Sequence, residues 1–574
     1  MKFLVLGVVL AAVFLSFRPC LDHQFLYWDD DVHVFDNSQI RGLDLSHLKQ
    51  IFTATINKTY VPLTSLSFAL EYHWAGNDPF IYHLDNVLLH LGVVAMVFLL
   101  AMVLGLPVLV AGGVALLFGL HPMHVESVAW VTERKDVLYA FFYLMAVYFY
   151  IRYIFRPAIS LFCISLLCAL LSVLAKSMAL SLPLVLLVLD WFLRRPMTFK
   201  NWLEKVPYAM VVIPVAWVTY SLNARLPGHD IGQAFLIWIW TFMFYIVKFV
   251  WPYGLVPLYS LPQPVAWANP HFLIPVAGFL LVVGSLYYFR RDRWYVLAWA
   301  FYIVSIFFLL RFDHAVDTTI VADRFMYLPC LGFCLWLGKA VNDARLRFPW
   351  TGCGVGVVLL ILSVLTYQQC LLWKNDLVLW QATLKVNPRT PIAFNNIGNY
   401  FYNNKDWDHA LENYSQAIAL EPAFYVSYSN RGVIYYSKGQ YDLALADFNM
   451  SLAFRSSYMA YNNRGSIYLM RREWDLALAD FNQSVALRPD KASGYYNRGE
   501  VYRCTGRLDL ALAQYARAIE LDPKDTESYF RRAAIYEERG SVADAVADYQ
   551  MILRVSAFDP QAIRALQRLG RLRQ

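Results

Sequence analysis

The stretch NRGVIYYSKGQYDLALADF, residues 430–448, decides the fold of the last third of this 574-residue chain. Its opening triplet recurs every 33 to 34 residues, at 396–398, 463–465, 497–499 and, as Arg-Arg-Ala, at 531–533. The block YDLALADF recurs in degenerate form within each copy. A period of this length predicts pairs of helices that stack into an array.

This spacing is typical of the tetratricopeptide repeat, and the sequence predicts five copies over residues 392–560. Residues 371–391 are interpreted as a linker or half-repeat, and residues 561–574 as a basic capping helix. Each unit buries its apolar face only against its neighbours, so the array is expected to be a superhelix with a concave groove.

One amide position recurs through the array, two residues before the small residue of each first helix. It is occupied by Asn396, Asn430, Asn463 and Asn497. An amide both donates and accepts hydrogen bonds, so such a ladder would hold an extended peptide by its backbone. The alternative is that these side chains pack between repeats.

The composition places the rest of the chain in a membrane. Hydrophobic residues make up 59% of the sequence, the mean hydropathy is +0.41, and there are 39 Phe, 38 Tyr and 18 Trp. The net charge of +7 comes from short basic runs between apolar segments, which topology explains without a nucleic-acid partner. Eight scattered cysteines without a CxxC pair indicate neither a disulfide framework nor a zinc site.

Residues 1–370 are predicted to form a bundle of about eleven membrane helices. The apolar segments lie at 3–17, 87–105, 108–120, 137–155, 158–175, 178–193, 206–222, 271–289, 294–311, 325–341 and 352–369. Residues 233–250 are interpreted as a re-entrant or surface helix, because a full crossing would place the basic run 290–293 outside the cytoplasm. Residues 3–17 are alternatively a cleaved signal peptide. Either reading puts the loop 19–85 and the repeats outside the cytoplasm.

The first outer loop contains YWDDDVHVFDN, residues 27–37, the densest acidic cluster of the membrane part. Asp29, Asp30 and Asp31 repel one another and must face water, a cation or a polar substrate. His33 follows them, and His83 begins a polar helical face further on. The alternative is a solvated loop beside the membrane.

Further polar residues are predicted at the same membrane face. They are His121, His124, Glu126, Glu133, Arg134, Lys135, Asp136, Lys176, Lys248, Asp313, His314, Asp323 and Arg324. The five cations among them, at 134, 135, 176, 248 and 324, are candidates to bind the phosphate of a donor substrate. The alternatives are interfacial side chains and structural ion pairs.

Four strings carry a resemblance to a known family: WDDDVHVFDN (28–37), HPMHVESVAWVTERKDVL (121–138), LAKSMALSLPLVLLVLDW (174–191) and VADRFMYLPCLG (321–332). Together with the repeats, they resemble the transmembrane and tetratricopeptide repeat-containing protein O-mannosyltransferases and their bacterial relatives. Such proteins are similar to GT-C glycosyltransferases, multi-pass enzymes that use polyprenyl-phosphate sugars. In those enzymes an acid of the first outer loop is typically the catalytic base, which here matches Asp29 and Asp30.

The resemblance implies an all-α, GT-C-like membrane bundle followed by a repeat superhelix, and an inverting transfer of a hexose such as mannose to protein Ser or Thr. The partners expected are a lipid-linked donor, an extended acceptor protein and the membrane. No cofactor is expected to be obligatory, and the three aspartates lack a complete metal-ligand set. The localisation expected is a bacterial inner membrane with periplasmic repeats, or an endoplasmic reticulum if the source is eukaryotic. The alternatives are a non-catalytic scaffold, transfer to lipid or glycan, and a transporter.

Overall fold

The computed structural model describes residues 1–57, 59–223, 231–309, 321–345 and 351–570. The predicted candidates Asp313 and His314 and the end of the predicted capping helix lie outside these ranges. The chain divides into two compact units, 1–388 and 389–574. Regular structure in the described residues is helical, apart from one antiparallel bridge between Ile56 and Thr59.

The first half of the membrane unit contains eight α-helices. They are α1 (Lys2–Phe17), α2 (Leu45–Thr53), α3 (Pro62–Ala75), α4 (Pro79–Val103), α5 (Val108–Gly119), α6 (Val125–Ala129), α7 (Arg134–Phe155) and α8 (Ile159–Ala175). Prolines at the first position start α3 and α4, where the missing N–H has no helical partner to lose. Asp44 caps α2 by accepting hydrogen bonds from the next turn.

The second half contains α9 (Leu182–Phe192), α10 (Phe199–Leu203), α11 (Val206–Asn223), α12 (Ile231–Val250), α13 (Pro270–Tyr288), α14 (Arg293–Ile306), α15 (Leu331–Arg345), α16 (Thr351–Leu372) and α17 (Asp376–Val386). Short 3₁₀ turns connect several helices of the unit, at Arg18–Asp22, Ser38–Ile40, Pro122–His124, Val131–Glu133, Ser177–Ser181, Phe307–Leu309 and Asp323–Met326. Asp31–Phe35 forms a π-helical turn within the acidic loop.

Every apolar segment predicted from the sequence contains an α-helix among its described residues. Among the described residues, six segments are long and apolar enough to cross a membrane: Lys2–Asp22, Pro79–Val103, Val131–Phe155, Ile231–Val250, Pro270–Tyr288 and Thr351–Leu372. The bent pair Val108–Gly119 and Pro122–Ala129 would be a seventh, and three further apolar helices are shorter. The structure thus describes a membrane protein, while the number of eleven crossings stays a prediction.

The second unit consists of five helix pairs and a final helix. The pairs are α18–α19 (Pro391–Asn403, Trp407–Leu420), α20–α21 (Tyr425–Ser437, Tyr441–Phe454), α22–α23 (Tyr458–Met470, Trp474–Leu487), α24–α25 (Ala492–Cys504, Leu508–Leu521) and α26–α27 (Thr526–Glu538, Val542–Val555), followed by α28 (Pro560–Arg568). The predicted helical repeat is confirmed.

Close packing within each pair explains the small residue of the recurring triplet. A Cβ added at Gly398, Gly432, Gly465 or Gly499 would lie 2.5–2.8 Å from an aromatic ring of the second helix. That is closer than carbon atoms approach without displacing one another, so the glycine sets the spacing of the two helices.

Arginine–aspartate pairs reinforce the same contact in three repeats. They are Arg431–Asp447, Arg464–Asp480 and Arg532–Asp548, each with two hydrogen bonds of 2.7–2.8 Å. In the fourth repeat the aspartate is replaced by Gln514, and both Arg498 Nε and Gln514 Oε1 are buried without a hydrogen bond. The fourth repeat therefore lacks the pairing of the other three.

Candidate functional site

Asp30 joins the acidic loop to the start of α7. Its carboxylate accepts hydrogen bonds from the Leu26 N–H (2.9 Å), the Thr132 N–H (2.9 Å) and the Thr132 hydroxyl (2.5 Å), and the side chain is fully buried. Burial raises the pKa of Asp30 to about 7, although these hydrogen bonds favour the carboxylate. These contacts give Asp30 a structural role in holding the loop.

Asp29 is half-buried and faces the cationic residues of the unit. Asn57 Nδ2 donates a hydrogen bond of 3.3 Å to it. Burial raises the pKa of Asp29 to about 6; the positive charge of Lys135 opposes this shift, and the negative charge of Glu133 adds to it. Asp29 is thus an accessible acid whose proton affinity suits transfer near neutral pH.

The third acid of the run and the following histidine complete the loop. The Asp31 carboxylate accepts a hydrogen bond from the next N–H, of Val32, at 2.9 Å, and burial raises its pKa. His33 is buried, and burial lowers its pKa to about 3, so the ring is neutral at pH 7. His33 therefore adds no positive charge beside the acids.

Glu133 is the centre of a buried network of charges beside the loop. It pairs with Lys135 (3.1 Å), Lys176 (3.4 Å) and Arg324 (3.4 Å), and Lys176 also pairs with Asp136 at 2.5 Å. The three cations are only 12% to 20% exposed. The structure thus brings together four predicted candidates from three separate sequence motifs, with Asp136 as a fifth.

Arg324 has two further carboxylates nearby. Its side chain forms an ion pair with Glu126, which also accepts its backbone N–H at 3.0 Å. The neighbouring Asp323 accepts hydrogen bonds from the Tyr259 hydroxyl at 2.8 Å to both of its oxygens. Burial raises the pKa of Asp323 well above its usual range, and the negative charge of Glu126 adds to this.

Lys248, also predicted to bind phosphate, lies in the last turn of α12. Its ammonium donates to the carbonyls of residues 253 and 254, at 2.6 and 3.2 Å, and lies 5.0 Å from the centre of the Tyr259 ring. These contacts fix the turn after α12.

Arg134 also differs from its predicted role, because every side of its guanidinium is already bound. Nε donates to Asn86 (2.8 Å), Nη2 to the Tyr82 carbonyl (2.7 Å) and Nη1 to the Ser67 hydroxyl (3.4 Å), and an ion pair joins it to Glu71. The side chain is fully buried. Arg134 fastens α3 and α4 to α7, and binding a phosphate would break these contacts.

The predicted histidines are buried packing residues. His83 meets His23 edge-on with 5.5 Å between ring centres. His121 Nε2 donates to the Phe249 carbonyl at 3.0 Å, and His124 Nε2 lies 3.3 Å from the Cys330 sulfur. Their rings therefore hold separate segments together. Within the described ranges no three His, Cys, Asp or Glu side chains form a cation site, and metal independence stays a prediction.

The structure adds a seam that sequence reasoning missed, between the acidic loop and residues 373–380. The Gln24 N–H donates to the Lys374 carbonyl and the Tyr27 N–H to Asp376, each at 3.0 Å. Trp28 stacks on Trp130 with ring centres 4.3 Å apart and meets Trp380 edge-on at 5.0 Å. These contacts place residues 371–388, interpreted above as a linker or half-repeat, in the membrane unit.

The four predicted groove asparagines divide into two kinds. Asn396 is buried and accepts a hydrogen bond from Asn395, and Asn430 donates to Asn395 and Asn399, each at 3.1 Å. Asn463 and Asn497 are half-buried, and the structure shows no hydrogen bond of either side chain within the described residues. Asn430 thus joins two repeats and Asn396 bonds within its own helix. The last two amides remain able to bind a partner.

Comparison with known proteins agrees with both units. Models of the tetratricopeptide repeat match residues 456–524 and 496–563, and a model of the TPR repeat matches residues 398–439. The fold and these matches define the class: a membrane protein that carries tetratricopeptide repeats.

Several curated relatives are named protein O-mannosyl-transferases. Protein O-mannosyl-transferase F38B6.6 of Caenorhabditis elegans is 25% identical over 454 residues, which cover 72% of this chain and 62% of that protein. Protein O-mannosyl-transferase TMTC3 of Homo sapiens is 23% identical, over 72% of this chain and 50% of that protein. Human protein O-mannosyl-transferase TMTC2 is 31% identical over 185 residues, 30% of this chain and 22% of that protein. The chain is thus similar to protein O-mannosyl-transferases over most of its length, and it spans half to three-fifths of the length of the first two relatives.

Proposed function

We propose that the protein is a membrane glycosyltransferase that transfers mannose, or another hexose, to Ser or Thr of proteins on the outer face of the membrane. The donor is a polyprenyl-phosphate sugar and the reaction inverts the anomeric carbon. The observation that carries the proposal is Asp29, a half-exposed acid with a raised pKa beside a buried cationic network. Support also comes from relatives that are named protein O-mannosyl-transferases.

Asp29 is the base of this proposal, and Asp30 holds it in place. As the acceptor hydroxyl attacks the anomeric carbon, its proton passes to the Asp29 carboxylate. Asp30 cannot easily take this role because its oxygens already accept three hydrogen bonds inside the unit. Asp31 is partly exposed, and its pKa is raised by burial and by the negative charge of Asp36.

Lys135, Lys176 and Arg324 offset the negative charge that grows on the departing phosphate. Each is held by a carboxylate and reaches the surface with part of its side chain. A network of this kind fixes the cations before the substrate arrives, so little reorganisation is needed during the reaction.

The repeats hold the acceptor in this proposal. Asn463 and Asn497 supply amides for the backbone of an extended segment, and the family models that match this region describe repeats typical of protein binding. Binding next to the membrane raises the effective concentration of the acceptor hydroxyl at Asp29.

A non-catalytic scaffold is the second candidate. It is favoured by one observation: each cation of the network is already paired with a carboxylate, as expected if the charges only hold helices together. In that case the repeats alone would carry the function.

Sugar transfer by the purified full-length protein distinguishes the two. Radiolabelled polyprenyl-phosphate mannose and a Ser/Thr-rich acceptor are supplied to wild type, Asp29→Asn and the matched control Asp36→Asn, an exposed acid of the same loop. The proposal expects label in protein with wild type and the control, and little with Asp29→Asn. Absence of transfer with mannose and with other polyprenyl-linked hexoses favours the scaffold.

A further inference from the structure

Two cysteines meet at the base of the seam that holds the acidic loop. Cys20 lies in the turn Arg18–Asp22 that follows α1, and Cys370 lies in the last turn of α16. Both side chains are fully buried, and the turn that carries Cys20 packs against α16. They are 350 residues apart in the chain, so the sequence offers no motif that would reveal the pair.

The packing of α1 against α16 fixes this register. The hydroxyls of Ser16 and Ser363 lie 2.7 Å apart, one turn of α1 and two turns of α16 before the cysteines. Seven α-helical residues rise about 10 Å, and four residues of 3₁₀ turn rise about 8 Å. Four residues beyond the cysteines, the Gln24 N–H donates to the Lys374 carbonyl at 3.0 Å. The two segments therefore run in the same direction from the serine contact, and Cys20 and Cys370 lie between these two contacts.

The other cysteines do not join distant segments. Cys163, Cys353 and Cys504 are exposed at separate places. Cys330 and Cys334 contact each other but are one helical turn apart, and Cys168 is buried within α8. Within the described residues, Cys20 and Cys370 are the pair whose linkage would cross-connect the first and last long apolar helices of the unit.

We propose that Cys20 and Cys370 form a disulfide bond in the mature protein. The two thiols lose two protons and two electrons, which reduce the disulfide of a thiol oxidase to a dithiol, and a bond forms between the two sulfurs. The exchange takes place while the segments assemble, before both thiols are buried. This inference rests on the proposed function in one respect, namely that this face of the membrane lies in an oxidising compartment.

The bond strengthens the seam above it. From Cys370 the chain continues directly to Lys374 and Asp376, which bind the backbone of the loop at Gln24 and Tyr27. A covalent link at the base of these contacts keeps both sides of the seam together when the hydrogen bonds open. Asp29, two residues beyond Tyr27, is thereby held close to the cationic network.

The experiment is thiol mapping of the full-length protein, purified from membranes without reductant. Free thiols are alkylated in denaturant with a maleimide, the protein is digested, and peptides are identified by mass spectrometry with and without dithiothreitol. We expect a linked peptide pair containing Cys20 and Cys370 that disappears on reduction, with the other six cysteines alkylated. Full alkylation of both Cys20 and Cys370 in the unreduced protein overturns the proposal.

A second measurement uses thermal unfolding. Dithiothreitol is expected to lower the Tm of wild type and of the control Cys168→Ser by several degrees, and to leave the Tm of Cys20→Ser/Cys370→Ser unchanged. An equal effect of reductant on all three contradicts the proposal. If the protein contains the linked pair but has no transfer activity, the disulfide is supported and the proposed function is contradicted. If the protein transfers sugar but lacks the linked pair, the proposed function is supported and the disulfide is contradicted.

Discussion

Asp29 and Asp30 are neighbours in the chain, but their carboxylates have different surroundings. Asp30 turns inward to Thr132 and the Leu26 N–H, and Asp29 turns to the half-exposed side beside Asn57. The two residues are therefore expected to respond differently to the same substitution.

Replacing Asp29 with Asn is expected to reduce sugar transfer about 10²- to 10⁴-fold, because a general base is lost. Little change in Tm is expected, because the asparagine keeps an oxygen that accepts the Asn57 hydrogen bond. Asp30→Ala is expected to cost roughly 1–3 kcal/mol of stability, because buried donors of Leu26 and Thr132 lose their acceptor. Transfer assays and thermal unfolding in detergent measure both. A large fall in Tm for Asp29→Asn would show that its role is structural.

The raised pKa of Asp29 gives a pH dependence. The carboxylate must be deprotonated to act as a base, and its pKa lies at about 6, so transfer is expected to be full above pH 7 and to fall tenfold per unit below about pH 6. The residual activity of Asp29→Asn should not show this fall below pH 6. A wild-type profile that is flat between pH 5 and 8 contradicts the assignment.

Residue types and their approximate location could be predicted from the sequence, but the direction of each side chain could not. The sequence motifs and the predicted side of the membrane indicate the acids at 29–31 and the cations at 135, 176 and 324. Arg134 and Lys135 are adjacent, yet one is bound on every side by α3 and α4 and the other belongs to the network. Such differences arise from packing between distant segments, which leaves no local signal.

At the scale of elements, α17 supports the acidic loop. Asp376→Ala removes the acceptor of the Tyr27 N–H and is expected to increase hydrogen exchange over residues 23–37 and to lower kcat more than it changes KM for the donor. Asp376→Asn keeps an acceptor oxygen and should recover most of the activity. Equal exchange in wild type and Asp376→Ala would show that the seam does not restrain the loop.

The fourth repeat offers a stabilising substitution. Gln514→Asp places a carboxylate opposite Arg498, as in the three paired repeats, and is expected to raise stability by roughly 0.5–1 kcal/mol. Gln514→Asn, which is equally short but neutral, serves as the control. Denaturant unfolding, followed by the helix signal in the far ultraviolet, measures the change in stability. Identical midpoints for the two variants would exclude the pairing.

Helices were predictable because apolar runs and a 34-residue period are properties of contiguous sequence. The boundary between the two units was less predictable, because residues 371–391 have a polar composition that resembles the repeats. Its assignment to the membrane unit depends on contacts with residues 24–28, across a separation of about 350 residues.

At the scale of the whole molecule, the proposed function assigns catalysis to the first unit and acceptor binding to the second. Asn463→Ala/Asn497→Ala is expected to raise KM for a long unfolded acceptor protein about tenfold while leaving kcat for a short Ser/Thr peptide unchanged, because the amides bind only the longer segment. Asn413→Ala, which removes a partly exposed amide on α19, is the control. Equal loss with both acceptors would indicate a damaged fold.

The long separation across the seam also orders events during synthesis. Tyr27 leaves the ribosome 349 residues before Asp376, its hydrogen-bond partner. At about 5–20 residues per second, the acidic loop waits roughly 20–70 s for the segment that completes its support. The nascent membrane unit therefore carries its candidate catalytic acid undocked for most of its translation, and it matures only when the chain has passed its last long apolar helix.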